Sequence, residues 1–181
     1  MNVTDISKEP QEENLERLLS LEEIKRLRSR YCRYIDTKQW QDLPLLFSPE
    51  ARFEGFGSAP MGADVTTFVK GVSSRLQSAI SIHHCHMPEI VFCGPNSARG
   101  IWAMMDYLEW PAGFSPKEAP GQSGFFGYGH YEEEYTKLEG RWTISFLRLT
   151  RLRIDALSTT NPMPLKGLLS ASRNWVEATI K

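Results

Sequence analysis

Residues 81–110 read SIHHCHMPEIVFCGPNSARGIWAMMDYLEW, and this stretch decides the fold class. It holds two long runs of β-branched and aromatic residues on either side of Gly94-Pro95-Asn96, a turn-forming tripeptide. The same pattern recurs further along the chain, so that four strands are predicted: 81–92, 98–110, 125–138 and 142–154. Long strands that follow one another in sequence are typical of an antiparallel, bent sheet.

The sequence before residue 81 predicts helices and one short strand. Ser20 followed by Glu23 forms a capping box, which predicts a first helix that ends near Asp36. A short helix at 40–47, a strand at 51–56 and a third helix after the cap residue Asp64 complete the predicted elements. Helices first and a long sheet afterwards define an α+β fold. We expect a cone-shaped, curved sheet, mixed or antiparallel, wrapped over the N-terminal helices around a small-molecule pocket.

The 181 residues suit one domain of ordinary size. The polar and acidic residues 1–18 predict a flexible tail or a frayed helix, and 19–156 are the predicted domain. Residues 157–181 form a predicted C-terminal extension with a candidate short helix at 165–178. The aromatic content of 11% and this extension favour a homodimer or homotrimer.

Charge and cysteine content exclude several classes of partner. With a net charge of -1 there is no basic field to attract nucleic acid or an anionic membrane, so neither partner is expected. The three cysteines form no CxxC pair and are predicted to be free thiols in a reducing compartment. The N-terminus does not resemble a signal peptide, and a cytoplasmic location is expected.

Ionisable residues occupy positions where apolar ones would be expected. Asp36 ends the first helix, where the dipole disfavours an acid, so it is either an exposed carboxylate or a functional one. His83 is a candidate general base on the first long strand. Asp106 shares a strand face with Trp102, and a buried carboxylate there needs a hydrogen-bonding partner unless that face meets solvent or a subunit. Arg151 would pair with Asp106 inside the sheet or lie on the surface.

The remaining histidines carry weaker signals. His84 and His86 have a spacing that suits a metal, but no third ligand with a characteristic spacing is evident, and no metal site is predicted. His130 is a candidate for the pocket mouth, although the acids at 132–134 indicate that part of this strand is solvated. No nucleophile elbow, phosphate-binding glycine loop or cofactor motif is found, so no cofactor is expected.

Three segments together resemble the SnoaL-like family of the nuclear-transport-factor-2-like superfamily, which has a cystatin-like fold. They are EEIKRLRSRYCRYIDTKQWQDLPLLFSPEARFE at 22–54, HHCHMPEI at 83–90 with ARGIWAMMDYLEW at 98–110, and GYGHYEEEYTKLEGRWTISFLRLTRLRI at 127–154. The resemblance covers roughly residues 20–155. Within the family it is greatest to the bile acid 7α-dehydratases and weaker to the scytalone dehydratases, whose tyrosine before the aspartate corresponds to Ile35 here.

The resemblance implies a set of site residues and a reaction class. By match to the dehydratase pattern, the implied catalytic residues are Tyr31, Asp36, His83 and Asp106, and the implied substrate-binding residues are Arg151, His130 and Trp102. The implied reaction is cofactor-independent dehydration or isomerisation of an apolar, carbonyl-containing ring compound such as a steroid, terpenoid or aromatic. Two alternatives stay open because the fold does not choose among them: a non-catalytic binding module, and an assembly subunit like the ring-hydroxylating dioxygenase β-subunit.

Overall fold

The computed structural model describes residues 9–157. Its elements are, in chain order, α1 (Glu9–Asp36), a 3-10 turn (Leu43–Leu46), β1 (Phe47–Glu54), α2 (Val65–Leu76), β2 (Ile80–Gly94), β3 (Ser97–Glu109), β4 (Gly124–Leu138) and β5 (Arg141–Leu157). The helices precede the long strands, so the α+β prediction is confirmed. Predictions that concern residues 1–8 and 158–181, including the candidate helix at 165–178, fall outside the described residues.

The five strands form one mixed sheet in the order β1-β5-β4-β3-β2. The four long strands pair antiparallel, each with its neighbour in sequence, as their turn signals predict. The first strand is the exception, because β1 crosses to the far edge and pairs parallel with β5. This arrangement leaves β1 and β2 as the two edges, and both helices pack against β1, β2 or β5.

Alternation along the strands gives the sheet one buried face. On β3 the buried side chains include Trp102, Met104, Asp106 and Leu108, and the residues between them are more exposed. Helix α1 covers this face with Ile24, Leu27, Tyr31 and Ile35, which recur at helical spacing. Helix α2 closes one end of the core, where Phe68 stacks on Phe53 with ring centroids 3.8 Å apart.

Three element boundaries differ from the sequence prediction. Helix α1 begins at Glu9, so Ser20 and Glu23 lie inside it and do not cap its start. Residues 11–19 are exposed on every face and therefore lack the buried stripe from which a helix is predicted. The predicted helix at 40–47 is only a 3-10 turn with Pro44 at its start, and β1 begins at Phe47 rather than at residue 51. Within residues 9–157, no helix is both long enough and apolar enough to cross a membrane.

Candidate functional site

A cavity of about 350 Å³ lies between the two helices and the buried face of the sheet. Its walls are largely apolar and aromatic, and they come from Ile35, Phe56, Val72, Leu76, Leu108, Phe125 and Leu149. Four of the predicted catalytic and binding residues also line it, namely Tyr31, His83, Asp106 and Arg151. An apolar chamber with a few convergent polar groups is the usual form of a small-molecule site.

His83 and Asp36 form a hydrogen-bonded dyad at one side of this cavity. The Nδ1 atom of His83 lies 2.6 Å from Oδ1 of Asp36, and the backbone N–H of His83 donates to Oδ2 at 2.8 Å. The His83 side chain is only 6% exposed and that of Asp36 is 22% exposed. In the tautomer that carries its proton on Nδ1, the ring donates to this carboxylate and Nε2 is left as the basic nitrogen.

The positions of the two residues follow from their elements. Asp36 is the last residue of α1, and its carboxylate extends past the helix end to the neighbouring edge strand β2. Two hydrogen bonds from His83 offset the unfavourable position of an acid at a helix C-terminus. Lys38, two residues further on, adopts φ of 60° and donates to Ser81 Oγ at 2.7 Å. Burial lowers the pKa of Lys38 to about 8, and the charge of Asp36 acts against this shift.

A buried ion pair lies next to His83 on the same face of the sheet, since Asp106 is the partner of His83 across β2 and β3. Arg151 donates from Nη1 to Oδ1 of Asp106 at 2.9 Å and from Nη2 to Oδ2 at 2.6 Å. Asp106 is 1% exposed, and the bidentate contact satisfies both of its oxygens. Burial opposes the charge of Arg151, but its bonds to Asp106 outweigh this effect and raise the pKa of the guanidinium. Since Asp106 is saturated by Arg151, the arginine is the member of the pair with N–H groups left for a ligand.

Gly127 gives this ion pair its space, which leads to the first prediction. It pairs with Asp106 across β3 and β4, and a Cβ there would overlap both Arg151 Nη1 and Asp106 Oδ1. We expect Gly127→Ala to displace the pair and to lower the free energy of unfolding by about 1–3 kcal/mol. Urea denaturation would measure this loss. Gly94→Ala is the matched control, because a Cβ on that strand glycine would meet only the Ser97 hydroxyl; equal losses in both variants would contradict the assignment.

Two tyrosines complete the polar lining, and both flank a buried arginine. The guanidinium of Arg28 lies 4.1 Å from the ring centre of Tyr31 and 3.7 Å from that of Tyr131. Burial raises the pKa of each phenol, an effect that the nearby charge of Arg28 only partly offsets. Both hydroxyls therefore remain protonated over the physiological range and are hydrogen-bond donors.

The charge of Arg28 is balanced within the core. Its Nη1 donates to Oε1 of Glu133 at 2.5 Å, and both side chains are at most 1% exposed. The hydroxyl of Tyr135 also donates to Glu133, and Trp102 Nε1 donates to that hydroxyl at 2.7 Å. Burial raises the pKa of Glu133 and the charge of Arg28 opposes this rise.

Two predicted substrate-binding residues lie away from the cavity. His130 was expected at the pocket mouth, but alternation along β4 places it on the face opposite to the buried Tyr131. Trp102 is buried on the correct face, yet its indole is engaged with Tyr135 beyond the cavity lining. His84 also faces outward, and among residues 9–157 no group of three or more His, Cys, Asp or Glu side chains is placed to hold a metal ion.

The cavity mouth carries a charged pair that the sequence did not indicate. Arg75 of α2 donates to Glu118 of the β3–β4 loop at 2.5 Å, and each side chain is 17% exposed. Lys117 from the same loop also lines the opening. Among the missed residues, Arg28 had the clearest signal, since Ile24 and Tyr31 of the core lie at helical spacing from it.

Comparison with known proteins agrees with this geometry. The model of the SnoaL-like domain matches residues 16–148, and the chain therefore belongs to the SnoaL-like family. Among curated proteins it is similar to a probable cyclase of Gibberella zeae, with 28% identity over 145 residues, which is 75% of this chain and 93% of the cyclase.

Solved structures of the same fold include two proteins named for elimination reactions. A hexachlorocyclohexane dehydrochlorinase, LinA type 2, superposes with a TM-score of 0.70 at 18% identity and covers 84% of this chain and 99% of its own. A candidate scytalone dehydratase from Novosphingobium aromaticivorans gives a TM-score of 0.66 at 17% identity. The match covers 83% of this chain and 99% of the dehydratase. At this level of identity the likeness shows that the fold is shared and carries no further argument.

Proposed function

We propose that the protein is a cofactor-independent lyase of the dehydratase type, or an isomerase, acting on an apolar ring compound that carries a carbonyl group. One observation supports this proposal most: His83, which is hydrogen-bonded to Asp36, lines the same apolar cavity as Tyr31. A histidine held by a carboxylate is a suitable base for removing a carbon-bound proton. General base catalysis of this kind raises the reaction rate on the order of 10²–10⁴-fold.

In the proposed reaction, Nε2 of His83 takes the acidic proton from the carbon next to the substrate carbonyl. Asp36 holds the ring in the required tautomer and stabilises the imidazolium that forms. Tyr31 donates a hydrogen bond to the developing enolate oxygen or to the departing hydroxyl group. His83 then returns its proton to the leaving hydroxide, which departs as water, or to another carbon, which completes an isomerisation.

Arg151 orients the substrate, while Asp106 holds Arg151. The bidentate contact fixes the guanidinium at the cavity wall, and the aromatic ring of Phe125 lies 5.1 Å from its centre. The apolar walls favour the ring system of the substrate, and the volume of about 350 Å³ is in the range of small-molecule sites. The names of the cyclase, the dehydrochlorinase and the dehydratase are in keeping with proton abstraction from carbon as the common step.

The test is a product analysis in deuterated water with a panel of cyclic ketones that carry a β-hydroxyl group. We expect the loss of one water molecule for a dehydratase, or deuterium incorporation without loss of mass for an isomerase, with both detected by mass spectrometry. Recovery of a tightly bound ketone with no exchange would overturn the catalytic proposal in favour of a binding module. The short contact of 2.6 Å between Asp36 and His83 argues against that module, and the open cavity argues against an assembly subunit.

A further inference from the structure

Two cysteines lie beside the catalytic dyad and repeat its geometry. Cys32 precedes Asp36 by four residues on α1, and Cys85 follows His83 by two residues on β2. One helical turn on one element and one strand period on the other place both pairs along the same interface. The two sulfur atoms are 3.5 Å apart.

The environment of Cys85 differs from that of an ordinary buried thiol. Arg28 donates from Nε to Cys85 Sγ at 3.2 Å, so a permanent positive charge is in contact with the sulfur. The hydrogen bond with Cys32 lowers the pKa of Cys85 to about 5, the charge of Arg28 lowers it as well, and burial acts in the opposite direction. The pKa of Cys32 is raised, first by the same hydrogen bond and then by burial. Cys85 is therefore the more acidic of the two thiols.

We propose that Cys32 and Cys85 form a redox-active pair, in which Cys85 is oxidised by a hydroperoxide and Cys32 converts the product to a disulfide. The Cys85 thiolate attacks one oxygen of the hydroperoxide, and the O–O bond breaks to leave a sulfenic acid at Cys85 and a hydroxide or alkoxide that takes up a proton. The Cys32 sulfur then displaces the sulfenic hydroxyl group. The S–S bond forms, the proton of Cys32 leaves with that hydroxyl as water, and the two sulfurs have supplied both electrons.

The two sulfurs are already in contact with each other. A bond of about 2.05 Å requires them to approach by about 1.5 Å from their present contact distance of 3.5 Å. The bond would tie α1 to β2 next to the contact between Asp36 and His83, so it would act on the site whichever ligand that site takes. This inference goes beyond the proposed function and does not depend on it, since thiol chemistry can be followed without a substrate.

Cys93 is an internal control for the reactivity of Cys32 and Cys85. It is exposed near the end of β2, and its sulfur contacts only the carbonyl of Val91 among the described residues, at 3.9 Å. Within residues 9–157 no cation is hydrogen-bonded to its sulfur, so it is expected to react as an ordinary surface thiol. Because an exposed thiol also forms disulfides between molecules, the experiment uses Cys93→Ser protein as its parent.

The experiment treats the Cys93→Ser protein with hydrogen peroxide and follows intact mass and tryptic peptides. We expect the loss of two hydrogen atoms, reversal by dithiothreitol, and one cross-linked peptide pair that contains Cys32 and Cys85. With Cys32→Ser added, the reaction should stop at a sulfenic acid on Cys85 that dimedone traps, and with Cys85→Ser added, Cys32 should stay reduced.

Three outcomes would overturn the proposal. The first is a Cys93→Ser protein that stays fully reduced at peroxide concentrations that oxidise Cys93 in the unaltered chain. The second is dimedone labelling at Cys32 instead of Cys85. The third concerns the rate at which iodoacetamide alkylates each thiol. A thiolate held by Arg28 should keep its reactivity to a lower pH than Cys93 does. If the alkylation rates of Cys85 and Cys93 fell in parallel as the pH was lowered, the proposal would be wrong.

Discussion

Replacing His83 with glutamine should lower the turnover of a substrate found in the cyclic-ketone panel by a factor of about 10²–10⁴, because it removes the only basic nitrogen of the dyad. Glutamine approximates the size of the imidazole, and the backbone N–H of residue 83 still donates to Asp36. The loss should therefore fall on the rate constant for proton abstraction. Deuterium exchange into the substrate under single-turnover conditions would measure it directly.

The neighbouring residue provides a matched control. His84→Gln makes the same chemical change one position along β2, where the side chain is exposed on the other face of the strand. We expect His84→Gln to keep the exchange rate of the unaltered protein. If both glutamine variants retained full activity, His83 would not be the base, and the proposed mechanism would be wrong.

Asp36→Asn tests the second member of the dyad in a different way. An amide cannot stabilise the imidazolium as a carboxylate does, and it leaves the ring free to take the other tautomer. We expect kcat to fall while KM changes little, since Asp36 touches His83 and not the substrate. A change in KM alone would instead indicate that Asp36 binds the ligand.

The dyad could be predicted from the sequence because the positions of its two residues follow from local secondary structure. Asp36 was expected at a helix end where the dipole disfavours an acid, and His83 was expected on the first long strand as a candidate general base. The family resemblance then connected the two. The pairing of Asp106 with Arg151 was one of two open alternatives, and the bidentate contact in the structure favours the buried one.

Other features depend on how distant elements meet, which periodicity does not encode. Arg28 and Glu133 are 105 positions apart, and Glu133 lies within a run of three acids that indicated a solvated surface. Alternation along β4 puts Glu133 on one face and Glu132 and Glu134 on the other, and the packing of α1 on the first face decides that Glu133 is the buried one. The same alternation places His130 on the face opposite to Tyr131, away from the residues that line the cavity.

Breaking the buried pair of Arg28 and Glu133 should cause the largest loss of stability of any single charge removal described here. Glu133→Gln removes the carboxylate partner of a guanidinium in the core, at a cost of about 3–5 kcal/mol in the free energy of unfolding. Glu134→Gln is the matched control on the adjacent residue. Its partner Arg99 is 71% exposed, so this change should cost at most about 1 kcal/mol. Urea denaturation of both variants measures the contrast.

The reverse variant should behave differently, because a carboxyl group can be neutralised by a proton and a guanidinium cannot. In Arg28→Met, burial with no cation nearby raises the pKa of Glu133 further above its unfolded value. The folded state then binds a proton that the unfolded state has released, so stability should fall as the pH rises above the unfolded pKa and recover in mild acid. Glu133→Gln should show no such recovery. If the two variants had the same dependence on pH, the pair would not be an ion pair, and the account of Arg28 as a charged support for Tyr31, Tyr131 and Cys85 would have to be abandoned.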